Sequence, residues 1–305
     1  MKSNRRAQAR ALKFGQHVAI AGTQMFFGAL TGAIRLVRGS HPEGWRTLRY
    51  GLHRDEVLDH MEPNARVTRR RPVVFFHGGG WMMGTKDFYS HDLLFLAQAG
   101  HPVFNVEYPK APDHPHPWIL RSVFRALTFI RQNFPDGEAV HLAGDSAGGN
   151  LAVMAGILCQ NPELLATIEP DEGPLPQILS VTSLYGVMDR LTCLNPNTIV
   201  GPTMIEAYGG PEALKQDVGP EHAITPMDLK FARHPPCFLT CGEWDPLTAS
   251  HDMYARRLTR DGHSVKSKTY AKATHGYFNF PEGAVKTACR RDMTAFLKEI
   301  EDGAS

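Results

Sequence analysis

From about residue 70 onward, short runs of β-branched and aromatic residues alternate with amphipathic helical patterns. That alternation predicts a mostly parallel central sheet flanked by helices. The candidate strands are Pro72–His77, Pro102–Tyr108, Ala139–Ala143, Ile178–Tyr185, Cys237–Cys241 and Ser264–Tyr270, each followed by turn chemistry. Between the second and third, Trp118–Phe134 sets Leu120, Val123, Phe124, Leu127 and Ile130 on one helical face and turns Arg121 and Arg125 elsewhere, so a helix covering the sheet is expected there. The stretch from about Ala284 to Ile300 repeats the pattern with Val285, Met293, Phe296, Leu297 and Ile300, while Asp136-Gly137 and Asp261-Gly262 mark turns.

Two segments break the alternation. Residues 188–233 carry prolines, the pair Gly209-Gly210 and only a short helical pattern. A connection of that length inside a compact domain is usually functional or has structure of its own, and it reads as a cap over a site. Near the N-terminus, Arg5, Arg6, Arg10 and Lys13 precede an uncharged run from Phe14 to Ile34, which Arg35 and Arg38 close. About 20 predominantly apolar residues could span a bilayer, but Gln16, His17, Thr23, Gln24, Thr31 and four glycines dilute the run, and no A-x-A-like cleavage site closes it. The expectation is a helix on the protein's own surface completing the cap, with membrane contact through residues 14–34, or a targeting segment, as the alternatives. The organisation expected is an N-terminal cap segment over 1–45 and a catalytic domain over 46–305, with the cap insertion at about 188–233.

Composition narrows the function classes. With 42% hydrophobic and 21% charged residues the chain can bury a sizeable core. Its 33 basic and 31 acidic residues leave a net charge of +2, which gives no long-range field for nucleic acid and suits a small neutral substrate. Five cysteines at irregular spacing do not suggest a disulfide framework. Cys237 and Cys241 share a strand, which sets their Cα atoms roughly 13 Å apart, beyond bridging distance. No CxxC or HExxH segment supports a metal site. A reducing, cytoplasmic compartment is the simplest assumption, with membrane association only through the N-terminal run.

The strongest chemical signal is Gly144-Asp145-Ser146-Ala147-Gly148, between the apolar run Ala139–Ala143 and the helical run Leu151–Leu158. A nucleophile on a tight strand-to-helix turn needs small neighbours, because a Cβ there would meet the crossing chain. The helix that follows offers backbone N–H groups and positive dipole where negative charge develops. The second signal, His77-Gly78-Gly79-Gly80-Trp81, directly follows Val73-Val74-Phe75-Phe76. Three consecutive glycines imply close backbone approach or unusual dihedrals. Gly79 and Gly80, with Ala147, are therefore the expected oxyanion-hole donors. A phosphate-cradling loop is the competing reading, but neither GxxxxGK[ST] nor GxGxxG is present.

A serine hydroxyl is a weak nucleophile at neutral pH, so a base must take its proton and a third group must orient the base. On a sheet of this kind the partners follow in the order serine, acid, histidine. Of fifteen histidines, His275 stands just beyond the strand ending near Tyr270, in a loop followed by Gly276. His251 and His263 fall in or beside helical patterns, and His222 and His234 in or near the cap. After Cys237–Cys241, Glu243 and Asp245 both qualify by charge; Asp245 is preferred because Pro246 stiffens the turn behind it and suits the start of a helix.

These residues resemble the hormone-sensitive-lipase-like branch of the α/β-hydrolase esterases, which includes arylacetamide-deacetylase-like enzymes. The resemblance rests on HGGGW at His77–Trp81, GDSAGGN at Gly144–Asn150, DPL at Asp245–Leu247 and HGYF at His275–Phe278. The turn Glu107-Tyr108-Pro109-Lys110-Ala111-Pro112 is similar to that family's tyrosine-containing turn. The similarity covers about residues 70 to 300. It implies an α/β-hydrolase fold with a helical cap, Asp245 as the acid, no metal or organic cofactor, and frequent homodimers. Where the family usually continues DPL with an Arg-Asp-Glu-like stretch, this chain has Thr248-Ala249-Ser250-His251, so the triad carries over and the acyl-pocket contacts do not.

The function expected is hydrolysis of a small carboxylic ester through an acyl-enzyme on Ser146, activated by His275 and Asp245. The same chemistry on an amide, lactone or thioester, or acyl transfer to another acceptor, is the nearest alternative. A non-catalytic ligand-binding protein and a membrane-bound scaffold are the more distant ones.

Overall fold

In the computed structural model, which describes residues 42–171, 173–194, 201–279 and 281–303, the alternating pattern folds into one eight-stranded sheet. The elements run β1 (Arg46–Arg49), β2 (Val57–Met61), β3 (Val73–Phe76), α1 (Leu94–Gln98), β4 (Val103–Val106), α2 (Trp118–Asn133), β5 (Ala139–Asp145), α3 (Ala147–Gln160), α4 (Pro162–Ile168) and β6 (Gln177–Leu184). They continue with α5 (Arg190–Cys193), α6 (Gly201–Gly209), β7 (Cys237–Gly242), α7 (Thr248–Arg260), β8 (Val265–Tyr270) and α8 (Ala284–Asp302). The spatial order is β1-β2-β4-β3-β5-β6-β7-β8. β2 runs antiparallel to both β1 and β4, and every other pairing is parallel.

The six expected strands are present with bounds shifted by a few residues, and their near-continuous apolar runs have a simple cause. Helices cover both faces of the sheet, so successive side chains are buried on opposite sides. Val74 and Phe76 pack in the layer that holds α2 and α3, while Val73 and Phe75 pack in the layer that holds α1 and α8. β1 and β2 are additions to the sequence reading. β1 is an exposed edge, and β2 contains Asp59 and His60, which are buried but partnered: Asp59 accepts from Thr47 Oγ1 at 2.6 Å and from Lys86 Nζ at 2.7 Å. Neither strand has the hydrophobic periodicity that a search from sequence detects.

β4 lies on one side of β3 and β5 on the other. Where strand order reverses in this way, the loops leaving the C-terminal strand ends diverge and open a crevice. β3, β5, β7 and β8 all point into that end of the sheet, and each is followed by one of the motif loops.

The insertion after β6 carries α5, α6 and three short 3-10 turns at Pro211–Leu214, Pro220–His222 and Pro226–Asp228. Arg190, 1% exposed, holds it together: Nε donates to Asp228 at 2.9 Å, and the other guanidinium nitrogens donate to the carbonyls of Ala213 at 2.9 Å and Gln216 at 3.0 Å. The expected N-terminal cap helix and membrane-contact run, and Ile199 and Val200 of the insertion, lie outside the described residues. Among the described residues no helix is long and apolar enough to cross a membrane. No disulfide joins any of the five cysteines.

Candidate active site

The turn between β5 and α3 holds Ser146 at φ 51° and ψ −120°, outside the ordinary regions for a residue with a Cβ. Such strain persists only where the surroundings over-determine it, and it clusters at functional sites. The crossing chain supplies the constraint: a Cβ on Gly148 would sit 2.0 Å from the carbonyl oxygen of Phe76 and 2.6 Å from that of His77. The start of α3 is thereby pressed against the loop that leaves β3.

The structure brings Ser146, His275 and Asp245 together. Ser146 Oγ lies 3.0 Å from His275 Nε2, and His275 Nδ1 lies 2.9 Å from Asp245 Oδ2. A carboxylate at Nδ1 selects the tautomer with its proton there and leaves the Nε2 lone pair facing the hydroxyl. The Asp245 carboxylate is buried, and its other oxygen accepts from Leu247 N–H at 2.8 Å, which fixes its orientation. Glu243, the other carboxylate on this loop, is exposed and accepts from Lys272 N–H at 2.8 Å instead. His251 pairs with Ser267 at 3.2 Å and His234 with Tyr254 at 2.8 Å, so neither belongs to this group.

Gly79 and Gly80 lie on the loop after β3 and Ala147 at the start of α3, the two segments that meet at Gly148. Among the described residues, none accepts a hydrogen bond from the three amides. The β3 loop is held by contacts at His77. Tyr108 stacks on His77 with ring centroids 4.4 Å apart and donates its hydroxyl to the His77 carbonyl at 2.7 Å. His77 Nε2 meets Glu107 at 3.0 Å, and Glu107 also accepts from Lys86 N–H at 2.9 Å. Burial opposes ionisation of Glu107, but His77 and Lys110 outweigh it and hold its carboxyl well below the usual range.

The insertion reaches this loop directly. Trp81 stacks on Tyr208 of α6 at 4.5 Å, and Met204 of the same helix occupies the space beside Gly80.

The residues that the sequence reading does not single out are those behind the turn. Asp145, 1% exposed, accepts from Gly78 N–H at 2.7 Å, Tyr89 Oη at 3.0 Å, Asn279 Nδ2 at 3.1 Å and Tyr185 Oη at 3.3 Å. A charged residue inside an otherwise small-residue motif was the available signal for Asp145. Tyr89, Tyr185 and Asn279 carry none, since only the fold collects them. Among the described residues no group of three His, Cys, Asp or Glu side chains is placed to hold a metal ion.

A mostly parallel eight-stranded sheet with a strained serine between strand and helix, and an acid and a histidine after its last two strands, defines the α/β-hydrolase class. Residues 73–279 match the family described as alpha/beta hydrolase fold, and the protein belongs to that family, in the hormone-sensitive-lipase-like branch that its motifs resemble. Among curated proteins it is similar to carboxylesterase NlhH of Mycobacterium tuberculosis, 29% identical over 68% of this chain and 66% of that one. It is also similar to carboxylic ester hydrolase LipN of the same organism, 26% identical over 74% of this chain and 62% of that one. The chain thus spans slightly less than two thirds of these relatives' length. Among solved structures, esterase B of Lactobacillus rhamnosis shares the fold at a TM-score of 0.82 and 18% identity, over 96% of this chain and 98% of that one.

Proposed function

We propose that the protein is a serine hydrolase of small carboxylic esters. Ser146 attacks the ester carbonyl while His275 Nε2 takes its proton, and Asp245 holds the imidazole tautomer and stabilises the imidazolium. The amides of Gly79, Gly80 and Ala147 receive the tetrahedral oxyanion. His275 then protonates the leaving alcohol, and a water molecule repeats the sequence on the acyl-enzyme to release the acid. The observation that carries this reading is the serine–histidine–carboxylate relay at 3.0 and 2.9 Å on a strained strand-to-helix turn. The ester-hydrolase names of the relatives support an ester over an amide.

The insertion at 188–233 acts in this reading as the cap that selects substrate. Its support is the seating of Tyr208 and Met204 against Trp81 and Gly80, beside the oxyanion donors. The N-terminal segment would complete that cap. The reading is tested by fluorophosphonate labelling, together with turnover of p-nitrophenyl esters, lactones and arylamides. Labelling confined to Ser146 and preference for esters are expected. An unlabelled Ser146, or activity kept in Ser146→Ala, overturns the reading.

A further inference from the structure

We propose that Asp145 is a positioning residue, whose buried carboxylate aligns the oxyanion loop and the histidine with the nucleophile beside it. The inference rests on the ester-hydrolase reading above. The steric logic of the turn requires small residues around Ser146 but makes no demand at position 145, and a carboxylate is among the costliest groups to bury. It is kept in the interior by donors: Gly78 N–H at 2.7 Å on Oδ1, and Tyr89 Oη at 3.0 Å, Asn279 Nδ2 at 3.1 Å and Tyr185 Oη at 3.3 Å on Oδ2. Burial pushes the Asp145 carboxyl up, and the hydrogen bonds of Tyr89, Asn279 and Gly78 oppose that shift by favouring the charged form.

The four donors come from four separate segments, and three of these adjoin the reacting groups. Gly78 precedes Gly79, one of the oxyanion donors. Asn279 lies four residues beyond His275, in the same loop. Tyr185, at the end of β6, presents its ring to the His275 imidazole edge-on, with centroids 5.0 Å apart. Tyr185 is also held at φ 41°, a left-handed conformation unfavourable for a tyrosine, so its hydroxyl contact and ring placement come at the expense of backbone strain. Asn279 Nδ2 also reaches Tyr89 Oη at 3.2 Å, and Gly78 N–H reaches it at 3.3 Å, so the donors are tied to one another as well as to the carboxylate. One side chain next to the nucleophile thus sets the register of the loops that bear the oxyanion donors and the base.

The test compares Asp145→Asn, Tyr185→Phe and Asn279→Ala with the unaltered protein, measuring kcat and KM on p-nitrophenyl acetate, the rate of fluorophosphonate labelling and Tm. Asp145→Asn keeps the volume but places an amide donor among donors. A loss of about 100-fold in kcat and in labelling rate, with KM nearly unchanged, is expected from misplaced donors. Tyr185→Phe and Asn279→Ala each remove one donor and should lose about three- to tenfold in kcat. Tyr185→Phe should add little further loss on the Asp145→Asn background, because both changes break the same contact. A kcat for Asp145→Asn within twofold of the unaltered protein, or a loss seen only in KM or Tm, overturns the proposal. Should Asp145→Asn fail to fold, unaltered kcat in both Tyr185→Phe and Asn279→Ala overturns it instead. If the unaltered protein neither labels nor hydrolyses esters, it is the ester-hydrolase reading that fails.

Discussion

Asp245 Oδ2 and His275 Nδ1 lie 2.9 Å apart because their loops leave the C-terminal ends of neighbouring strands, β7 and β8. The loops are stitched together where they emerge: Glu243 N–H donates to the Tyr270 carbonyl and Trp244 N–H to that of Ala273, both at 2.9 Å. Asp245 and His275 are thus fixed by backbone geometry before any substrate enters.

Asp245→Asn is therefore expected to lower kcat by about 10⁴, since the amide stabilises the wrong histidine tautomer. Glu243→Gln, which changes an exposed side chain bonded to Lys272 N–H, should stay within a few-fold of the unaltered protein. Steady-state kinetics on one p-nitrophenyl ester decide between them, and a larger loss in Glu243→Gln would reverse the assignment.

Ser146→Ala and His275→Ala should each cost about 10⁶ in kcat, and the double substitution hardly more, because the residues act as one unit. Additive losses would mean that His275 is not the base. Circular dichroism should show both variants folded, as neither side chain supports the core.

Gly79 and Gly80, in the loop after β3, should differ in what they tolerate. At Gly79, with φ 122°, an added Cβ would sit 2.2 Å from the Met83 carbonyl oxygen, which cannot withdraw without moving the loop. Gly79→Ala should abolish turnover. At Gly80, with φ 57°, the Cβ would sit 2.5 Å from Met204 Sδ, the flexible part of a side chain on α6. Gly80→Ala should lose part of its activity, and Met204→Ala on that background should restore some of it. Absence of rescue would show that the strained φ, worth about 1–2 kcal/mol, is the whole defect.

Stability should fall as pH drops from about 6.5 to about 4. Burial lowers His101, His116 and His234 each to about 4, against 6.5 for a free histidine. In that window the unfolded chain binds protons that the folded chain refuses, which removes about 1.4 kcal/mol per pH unit for each histidine once it is well inside the window. Glu107, held low by His77 and Lys110, contributes stability that disappears only as pH falls below about 4.5. Urea denaturation between pH 4 and 8 measures the slope, and His116→Leu should flatten it by close to one proton.

Integrity of the insertion at 188–233 should control substrate choice separately from the chemistry. Arg190→Leu leaves Asp228 buried without its cation, and losing one partner of such a pair costs about 3–5 kcal/mol. The expected outcome is an altered ranking of acyl-chain lengths and a raised KM, with fluorophosphonate labelling of Ser146 retained. An unchanged chain-length profile would separate the insertion from specificity.

The sequence alone was sufficient for the parallel sheet, the strand-turn-helix around Ser146 and the three glycines after β3. These are local features: continuous apolar runs, helical periodicity and steric demands that only glycine meets within a few residues. The choice of Asp245 over Glu243 rested on Pro246 and the DPL motif, and the tertiary structure decided which carboxylate points at His275, because that depends on how β7 and β8 pair. β1 and β2 escaped notice since their polar residues are satisfied by partners distant in sequence, such as Lys86 for Asp59. The cluster around Asp145 was likewise invisible. Its donors stand at positions 78, 89, 185 and 279, and nothing in the local pattern of any of them announces a partner; only the convergence of loops at one end of the sheet makes a buried carboxylate there affordable.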